Sequence, residues 1–324
     1  MIPEEIYQKI LRSAVSAPSG HNTQAWRFRK TVDGLSIQPD YSRTLPIADP
    51  EHRELYISLG CAAETAMIAA QFYGYHTQLQ LHASKNECIV NISLQKSENL
   101  APSQLYPFIK LRQTTRNLYD SRPIPSDDLQ QLLNSNADES TDIKLFTSAT
   151  ERKQFGSFIA EAVAIQMSQR AYKQELIDWM RFSEKEALLK GDGLYTACSG
   201  VPSMGRMAGS FIIRNFVNAK TETKRLIQQL DNTAAVAILS GIGDSNEARI
   251  QTGRTLQRFA LTATMLNINH SYLNPPCQVQ SVREKLRLAY CTDTAIPQII
   301  LRLGYSKKMP YALHKGISSL NYQS

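Results

Sequence analysis

The sequence predicts an α+β protein whose two halves repeat one plan, with antiparallel or mixed sheets flanked by helices. Three features carry that expectation: an opening helix that runs into a hairpin, two long helices rich in small residues, and a strand-like segment soon after each of them. Residues 1–100 and 108–324 are the expected halves, and residues 98–107, with Pro102 and Pro107, form the connection.

Ile6, Ile10, Leu11 and Ala14 recur at helical spacing, and Pro3 suits a first turn. Trp26-Arg27-Phe28-Arg29 then alternates, and Asp33-Gly34 before Leu35-Ser36-Ile37 is a hairpin signal. Residues 51–73 read as a helix with apolar positions around most of its circumference, hence buried on more than one side. Gly60, Ala62, Ala63, Ala66 and Ala70 permit close approach of a second helix, Gly74 ends the segment, and strands follow at 77–81 and 89–94. In the second half Ser126 is expected to cap a helix through Leu133, with a strand at 143–146 and a helix over 151–171. Residues 234–239 read as a buried strand, 246–266 as the second long helix, and 269–273 and 298–303 as strands. The likeness of the two long helices points to a tandem duplication. Residues 174–204, with Gly191-Asp192-Gly193, have no counterpart in the first half and read as an insertion covering a site.

Composition narrows the function. At 324 residues and 42% hydrophobic content the chain supports one large core or two fused ones. No run of about eighteen apolar residues is present and residues 1–11 carry Glu4, Glu5 and Lys9, so neither an export signal nor a membrane partner is expected. Five scattered cysteines without a Cys-x-x-Cys pair read as reduced thiols of a cytoplasmic protein. The net charge of +7 is spread along the chain, which fits phosphate-bearing small molecules better than nucleic acid; the pI near 9.1 is the one motive for a nucleic-acid binder. Six histidines lack metal-ligand spacing, Gly241-Ile242-Gly243 lacks a third glycine, and Ser199-Gly200-Val201-Pro202-Ser203 is no nucleophile elbow.

Two clusters carry candidate chemistry. Residues 16–26 (Ser-Ala-Pro-Ser-Gly-His-Asn-Thr-Gln-Ala-Trp) concentrate hydroxyls, amides and backbone donors between a helix and a strand. Arg112-Gln113-Thr114-Thr115-Arg116 places two guanidinium groups and the Thr114 hydroxyl on one side of an extended segment, a face suited to phosphate. Taken singly, the first is an ordinary capping loop and the second a solvated basic edge.

Together the clusters resemble the nitroreductase family, in which an Ala-Pro-Ser-x-x-Asn-x-Gln-Pro-Trp segment accompanies an Arg-x-Ser/Thr-x-Arg segment that holds the FMN phosphate. The order of the two is reversed here, and this looks like the single-chain, Acg-like branch, where one polypeptide replaces a homodimer. Arg53-Glu54-Leu55 with Ser58-Leu59-Gly60, Trp179-Met180-Arg181, Asp192-Gly193-Leu194, and Pro297-Gln298 through Arg302-Leu303-Gly304 extend the resemblance over most of the chain.

The resemblance implies an FMN site. Arg112, Gln113, Thr114 and Arg116 would contact the phosphate and ribityl chain, Pro18, Ser19, Asn22 and Gln24 would lie along the ring, and Ser240 and Gly241 would present backbone to it. Lys315 follows His314 where the family usually has Arg-Arg, giving a point charge instead of a planar fork. It implies an NAD(P)H oxidoreductase that reduces nitroaromatic or quinone-like acceptors by ping-pong hydride transfer, with chemistry borne by flavin and no catalytic side chain. The competing reading is a catalytically silent stress protein that sequesters FMN beneath residues 174–204. Either a monomer with pseudo-dimeric halves or a further homodimer is compatible with the sequence.

Overall fold

In the computed structural model, residues 2–83, 88–120, 122–292 and 294–316 are described. Helix α1 (Glu4–Ala14) buries Tyr7, Ile10, Leu11 and Ala14 along one stripe. It is followed by β1 (Trp26–Lys30), β2 (Gly34–Pro39), α2 (Arg53–Phe72), β3 (Tyr75–Ala83) and β4 (Cys88–Lys96). Then come α3 (Ser126–Leu133), β5 (Thr141–Phe146), α4 (Ala149–Ser168), α5 (Arg170–Trp179), β6 (Met180–Arg181), α6 (Glu184–Lys190), β7 (Leu194–Tyr195), α7 (Arg206–Phe216) and α8 (Ala219–Asp231). The chain closes with β8 (Ala235–Ile242), α9 (Asn246–Met265), β9 (Asn269–Tyr272), α10 (Pro275–Gln278), α11 (Gln280–Tyr290) and β10 (Ala295–Gly304).

The result is an α+β fold with two antiparallel four-stranded sheets, ordered β1-β2-β4-β3 and β5-β8-β10-β9. Both obey one rule: the first two strands are neighbours, a long helix follows the second, and the last two strands return in swapped order. They differ between the first and second strands, where β1 and β2 are joined by a tight turn but α4 to α8 separate β5 from β8. The helical excursion is larger than residues 174–204.

Burial follows from the faces these sheets present. β4 alternates buried and partly exposed residues, as expected of a sheet covered on one side. In β8, Ala235, Ala237 and Leu239 join the core shared with the first sheet, while Val236 and Ile238 join a second core with Phe155, Leu230 and Ile300. That sheet is covered on both faces, so β8 reads as a continuous apolar run.

Helices α2 and α9 cross at the centre. A Cβ on Gly60 would lie 2.0 Å from the Ile250 carbonyl oxygen, and one on Gly253 would lie 2.0 Å from that of Ile57. Backbone therefore meets backbone at this crossing, which only glycine permits. Glu64 of α2 adds a buried pairing to Arg254 (2.9 Å) and Arg258 (2.8 Å) of α9. By length and composition α2 is apolar enough to cross a membrane, but most of it is buried inside the protein.

Two local expectations are corrected. Ser126 is the first helical residue of α3, and Pro125 takes the cap position without a side-chain bond. Residues 151–171 are not one helix: Gln169 adopts extended angles (φ −91°, ψ 117°) and separates α4 from α5.

Candidate functional site

The turn between α1 and β1 is held in an uncommon shape. His21, Asn22 and Gln24 all have positive φ (45°, 55° and 52°), a region that non-glycine residues seldom enter and that surroundings must enforce. The enforcing bonds come from far along the chain. The Asn22 amide donates to the carbonyls of Gly193 (3.2 Å) and Leu313 (2.9 Å), and the Gly193 N–H returns a bond to the Asn22 carbonyl. The Gln24 side chain donates to the Gly191 carbonyl (2.8 Å) and accepts from the Lys315 N–H (3.0 Å). Gly193 is required there: its φ is +77°, and a Cβ would stand 2.4 Å from the Trp179 carbonyl.

Beside this clamp, Asp192 accepts from Arg43 (2.5 Å) and Arg181 (2.6 and 3.0 Å). Burial raises the Asp192 carboxyl, but these hydrogen bonds outweigh it and hold the group below the ordinary aspartate range. Lys315 sits on the same cluster, its ammonium 3.9 Å from Asp192.

The turn walls a cavity of about 250 Å³. Pro18, Ser19 and Asn22 line one side, and Arg112, Gln113, Thr114 and Arg116 line another, so the two clusters, some ninety residues apart, do meet in space. The arginine strip lies along the edge of the second sheet: Thr114 bridges to His270 of β9, and the Thr115 N–H donates to the His270 carbonyl at 3.0 Å. The Arg116 carbonyl takes the Gln229 amide (2.9 Å), while Arg302 donates to the carbonyls of Thr115 (3.2 Å) and Asn117 (2.7 Å). The strip is thus fixed by its backbone, leaving its guanidinium groups to the cavity.

Arg112 is short of acceptors. Arg112 is 8% exposed, and its Nε and Nη1 have no hydrogen-bond partner among the described residues; Nη2 makes a long contact of 3.4 Å to the Ser16 carbonyl. Burial pushes the pKa of both Arg112 and Arg116 below the ordinary guanidinium value. Two cations, Arg112 buried and Arg116 partly buried, with no ion pair to a carboxylate among the described residues, make a site for an anion.

Further walls come from residues to which the sequence assigned no site role: Glu54, Ser58 and Cys61 of α2, Leu194, Tyr195 and Cys198 of the helical excursion, Tyr272 of β9, and Pro310, Ala312 and His314 of the C-terminal segment. Burial and the Arg112 charge lower the His314 pKa to about 4, so the ring is neutral. Gln113 turns to that segment, accepting from the Met309 N–H (2.8 Å) and donating to its carbonyl (3.1 Å).

Four expected residues lie elsewhere. Gln24 is fully buried behind the turn, and Lys315 faces Asp192. Ser240 and Gly241 belong to β8, paired to β5 and β10, with the Ser240 hydroxyl 3.4 Å from Cys291 Sγ and Gly241 packed on Thr252 of α9. These two do not line the cavity, because their strand is central and both its edges are occupied.

Comparison with known proteins gives one consistent result. No family model matches the chain. Two curated proteins of Mycobacterium tuberculosis strains, both provisionally named NAD(P)H nitroreductase, are 26% identical over 312 residues, covering 93% of this chain and 86% of theirs. The chain is similar to nitroreductases along nearly its full length. Solved structures similar to this nitroreductase-like chain include a nitroreductase-like family protein from Bacillus cereus (16% identity, 68% of this chain and 95% of that one, TM-score 0.41). Another is the FMN-dependent nitroreductase NfnB from Mycobacterium smegmatis in complex with NADPH (13% identity, 67% and 96%, TM-score 0.44).

Proposed function

We propose that the cavity holds FMN and that the chain is an NAD(P)H-dependent oxidoreductase for small electron acceptors of nitroaromatic or quinone type. The observation that carries this reading is the pair Arg112, buried, and Arg116, partly buried, without carboxylate partners among the described residues and facing the same cavity as the strained turn at residues 20–24. A phosphate monoester brings nearly two negative charges and three acceptor oxygens, which matches the orphaned donors of Arg112. The names of the curated relatives agree with it.

FMN supplies the redox chemistry when bound, so no acid–base pair is needed for hydride transfer itself. The chain's residues bind, orient and exclude water. Arg112 and Arg116 anchor the phosphate, Thr114 and Gln113 border the same end, and Pro18, Ser19 and Asn22 form a wall for the ring. Gln24 and Lys315 act from behind by fastening the turn to the C-terminal segment. Ser240 and Gly241 have no part in this site. NAD(P)H and acceptor would use the cavity in succession. In this reading residues 1–100 and 108–324 are fused halves of one duplicated plan, which the shared strand order of the two sheets supports.

A second reading, sequestration of FMN without turnover, is favoured by the clamp itself, since Gly193, Leu194 and Tyr195 together with Pro310, Ala312 and His314 wall the cavity. Purified protein is expected to show a yellow flavin band, to bleach under anaerobic NADPH and to recover on adding a quinone. Retained but unbleached flavin would favour sequestration; failure to bind FMN on titration would overturn both readings.

A further inference from the structure

Large apolar side chains that stand exposed are scattered over most of the described residues, but they crowd on α6 and α7. Met207 is 88% exposed, Phe211 60%, Ile212 42% and Phe216 62%, and Leu188 and Leu189 of α6 are exposed as well. Helix α7 carries apolar residues on two faces, a pattern that calls for cover on both. One face has it: Gly209, Ser210 and Ile213 are buried, and Gly209 lies so close to Phe182 that a Cβ would stand 2.1 Å from its ring. The other face, with Met207, Ala208, Phe211 and Ile212 at helical spacing, is open to solvent. Phe211 and Phe216 extend it to the end of the helix, their ring centroids 6.2 Å apart. An exposed apolar surface of this kind marks a contact with something outside the chain.

Charge says what that is. Arg206 at the start of α7 pairs with Glu186 of α6 (2.5 Å), and at its end the Thr221 hydroxyl of α8 donates to the Phe216 carbonyl (3.2 Å), so the three helices are joined around this face. Lys185, Lys190, Arg214, Lys220 and Lys224 on them are exposed, with no carboxylate partner among the described residues; Arg214 reaches the Gln174 side chain at 3.1 Å. Glu186 and Glu222 are already paired with Arg206 and Arg225, and Asp192 is buried, which leaves Asp178 and Glu184 as the exposed acids between residues 170 and 225. The border of the apolar face is therefore cationic. A second copy of the chain, related by a two-fold axis, would bring the face against itself and set these cations against their own kind. A bilayer with anionic headgroups accepts both the apolar side chains and the bordering charge. Lack of a membrane-spanning run does not bear on a helix that lies in the plane of the interface.

We propose that α6 and α7 form a docking face that seats the protein on an anionic lipid surface, with Met207, Phe211, Ile212 and Phe216 entering the acyl boundary and Arg214, Lys220 and Lys224 meeting the headgroups. The same helical excursion supplies Leu194, Tyr195 and Cys198 to the cavity, so docking holds one cavity wall near the lipid, into which apolar small molecules partition. The docking does not depend on the oxidoreductase reading and is tested without cofactor or turnover.

The test is flotation of the full chain with vesicles of phosphatidylcholine alone and of phosphatidylcholine mixed with phosphatidylglycerol, with folding read from circular dichroism. Wild type is expected to float with the anionic vesicles, far less with the neutral ones, and to be released as salt rises. Phe211→Ser should weaken the partition about tenfold or more, the worth of moving one such side chain out of water. Arg214→Gln, Lys220→Gln and Lys224→Gln together should weaken it on the order of a hundredfold, at about fivefold for each cation near such a surface. Should Phe211→Ser not fold, Phe211→Trp keeps a ring at that position, and its fluorescence should shift to the blue when anionic vesicles are added. Wild type that does not float with anionic vesicles, flotation that Phe211→Ser leaves unchanged, or a Phe211→Trp spectrum that does not move would overturn the proposal. So would a wild-type dimer in sedimentation velocity that Phe211→Ser dissociates, since the face would then belong to a second copy of the chain.

Discussion

Replacing Arg112 by methionine should move stability and affinity in opposite directions. The side chain keeps its apolar length, but two buried nitrogens without partners and one buried charge are removed. An unsatisfied buried polar group costs about 1–3 kcal/mol, so the FMN-free variant should gain on the order of 2 kcal/mol of stability. FMN, by contrast, loses a charged hydrogen-bond donor worth about 1.5–3 kcal/mol, a weakening of roughly ten- to 150-fold. Thermal unfolding of FMN-free protein in phosphate-free buffer reads the first quantity, and quenching of flavin fluorescence the second. Inorganic phosphate should raise the melting temperature of wild type and have less effect on the variant. A variant that melts below wild type while binding FMN unchanged would refute the assignment of Arg112 to an anion.

Three other outcomes are expected. Gly60→Ala and Gly253→Ala each drive a methyl into a backbone oxygen 2.0 Å away and should cost about 1–3 kcal/mol or more, measured by denaturant unfolding. Gly156→Ala is the control, since its methyl meets the movable end of Ile227 at 3.0 Å and helix propensity favours alanine by about 1 kcal/mol. Asp192→Asn should loosen the clamp by about 3–5 kcal/mol and expose residues 174–204 to limited proteolysis. Because its folded pKa is depressed, the wild-type contribution is complete above the ordinary aspartate range and vanishes as pH falls below it. His270 is buried and His21 and His314 are partly buried, all neutral, with desolvation the main cause that lowers the pKa values of His21, His270 and His314 to about 4, 3 and 4. Their contribution to stability is complete above about pH 6.5 and should fall by about 1.4 kcal/mol per pH unit for each histidine as pH drops toward 4; a flat profile between pH 6.5 and 4.5 would contradict their desolvated, neutral state.

The sequence was most informative where function and local geometry share one segment. The Asp33-Gly34 turn, the small-residue faces of α2 and α9, the turn at residues 18–24 and the arginine strip were all visible because each is coded within a few residues. The walls supplied by Tyr272 and Cys198 were not, since nothing local distinguishes them from ordinary core or loop residues. Glu54 and Glu64 left a signal beyond motif resemblance: an acid in a helix apolar over most of its circumference must find partners inside. Ser240 and Gly241 failed for a topological reason, as a central strand with neighbours on both edges has no free backbone to offer. Lys315 failed because its nearest opposite charge, Asp192, lies in the helical excursion, whose packing no local pattern encodes.

The Asn22 amide grips the carbonyl of Leu313, a residue 291 positions further along. During synthesis the turn at residues 20–24 is made well before residue 313, so this bond to its strained form closes only after the intervening 291 positions have emerged from the ribosome. Completion of the cavity wall therefore waits on a contact of high sequence separation, and a product shortened before residue 313 would carry both arginines yet lack one of the bonds that shape the opposite wall.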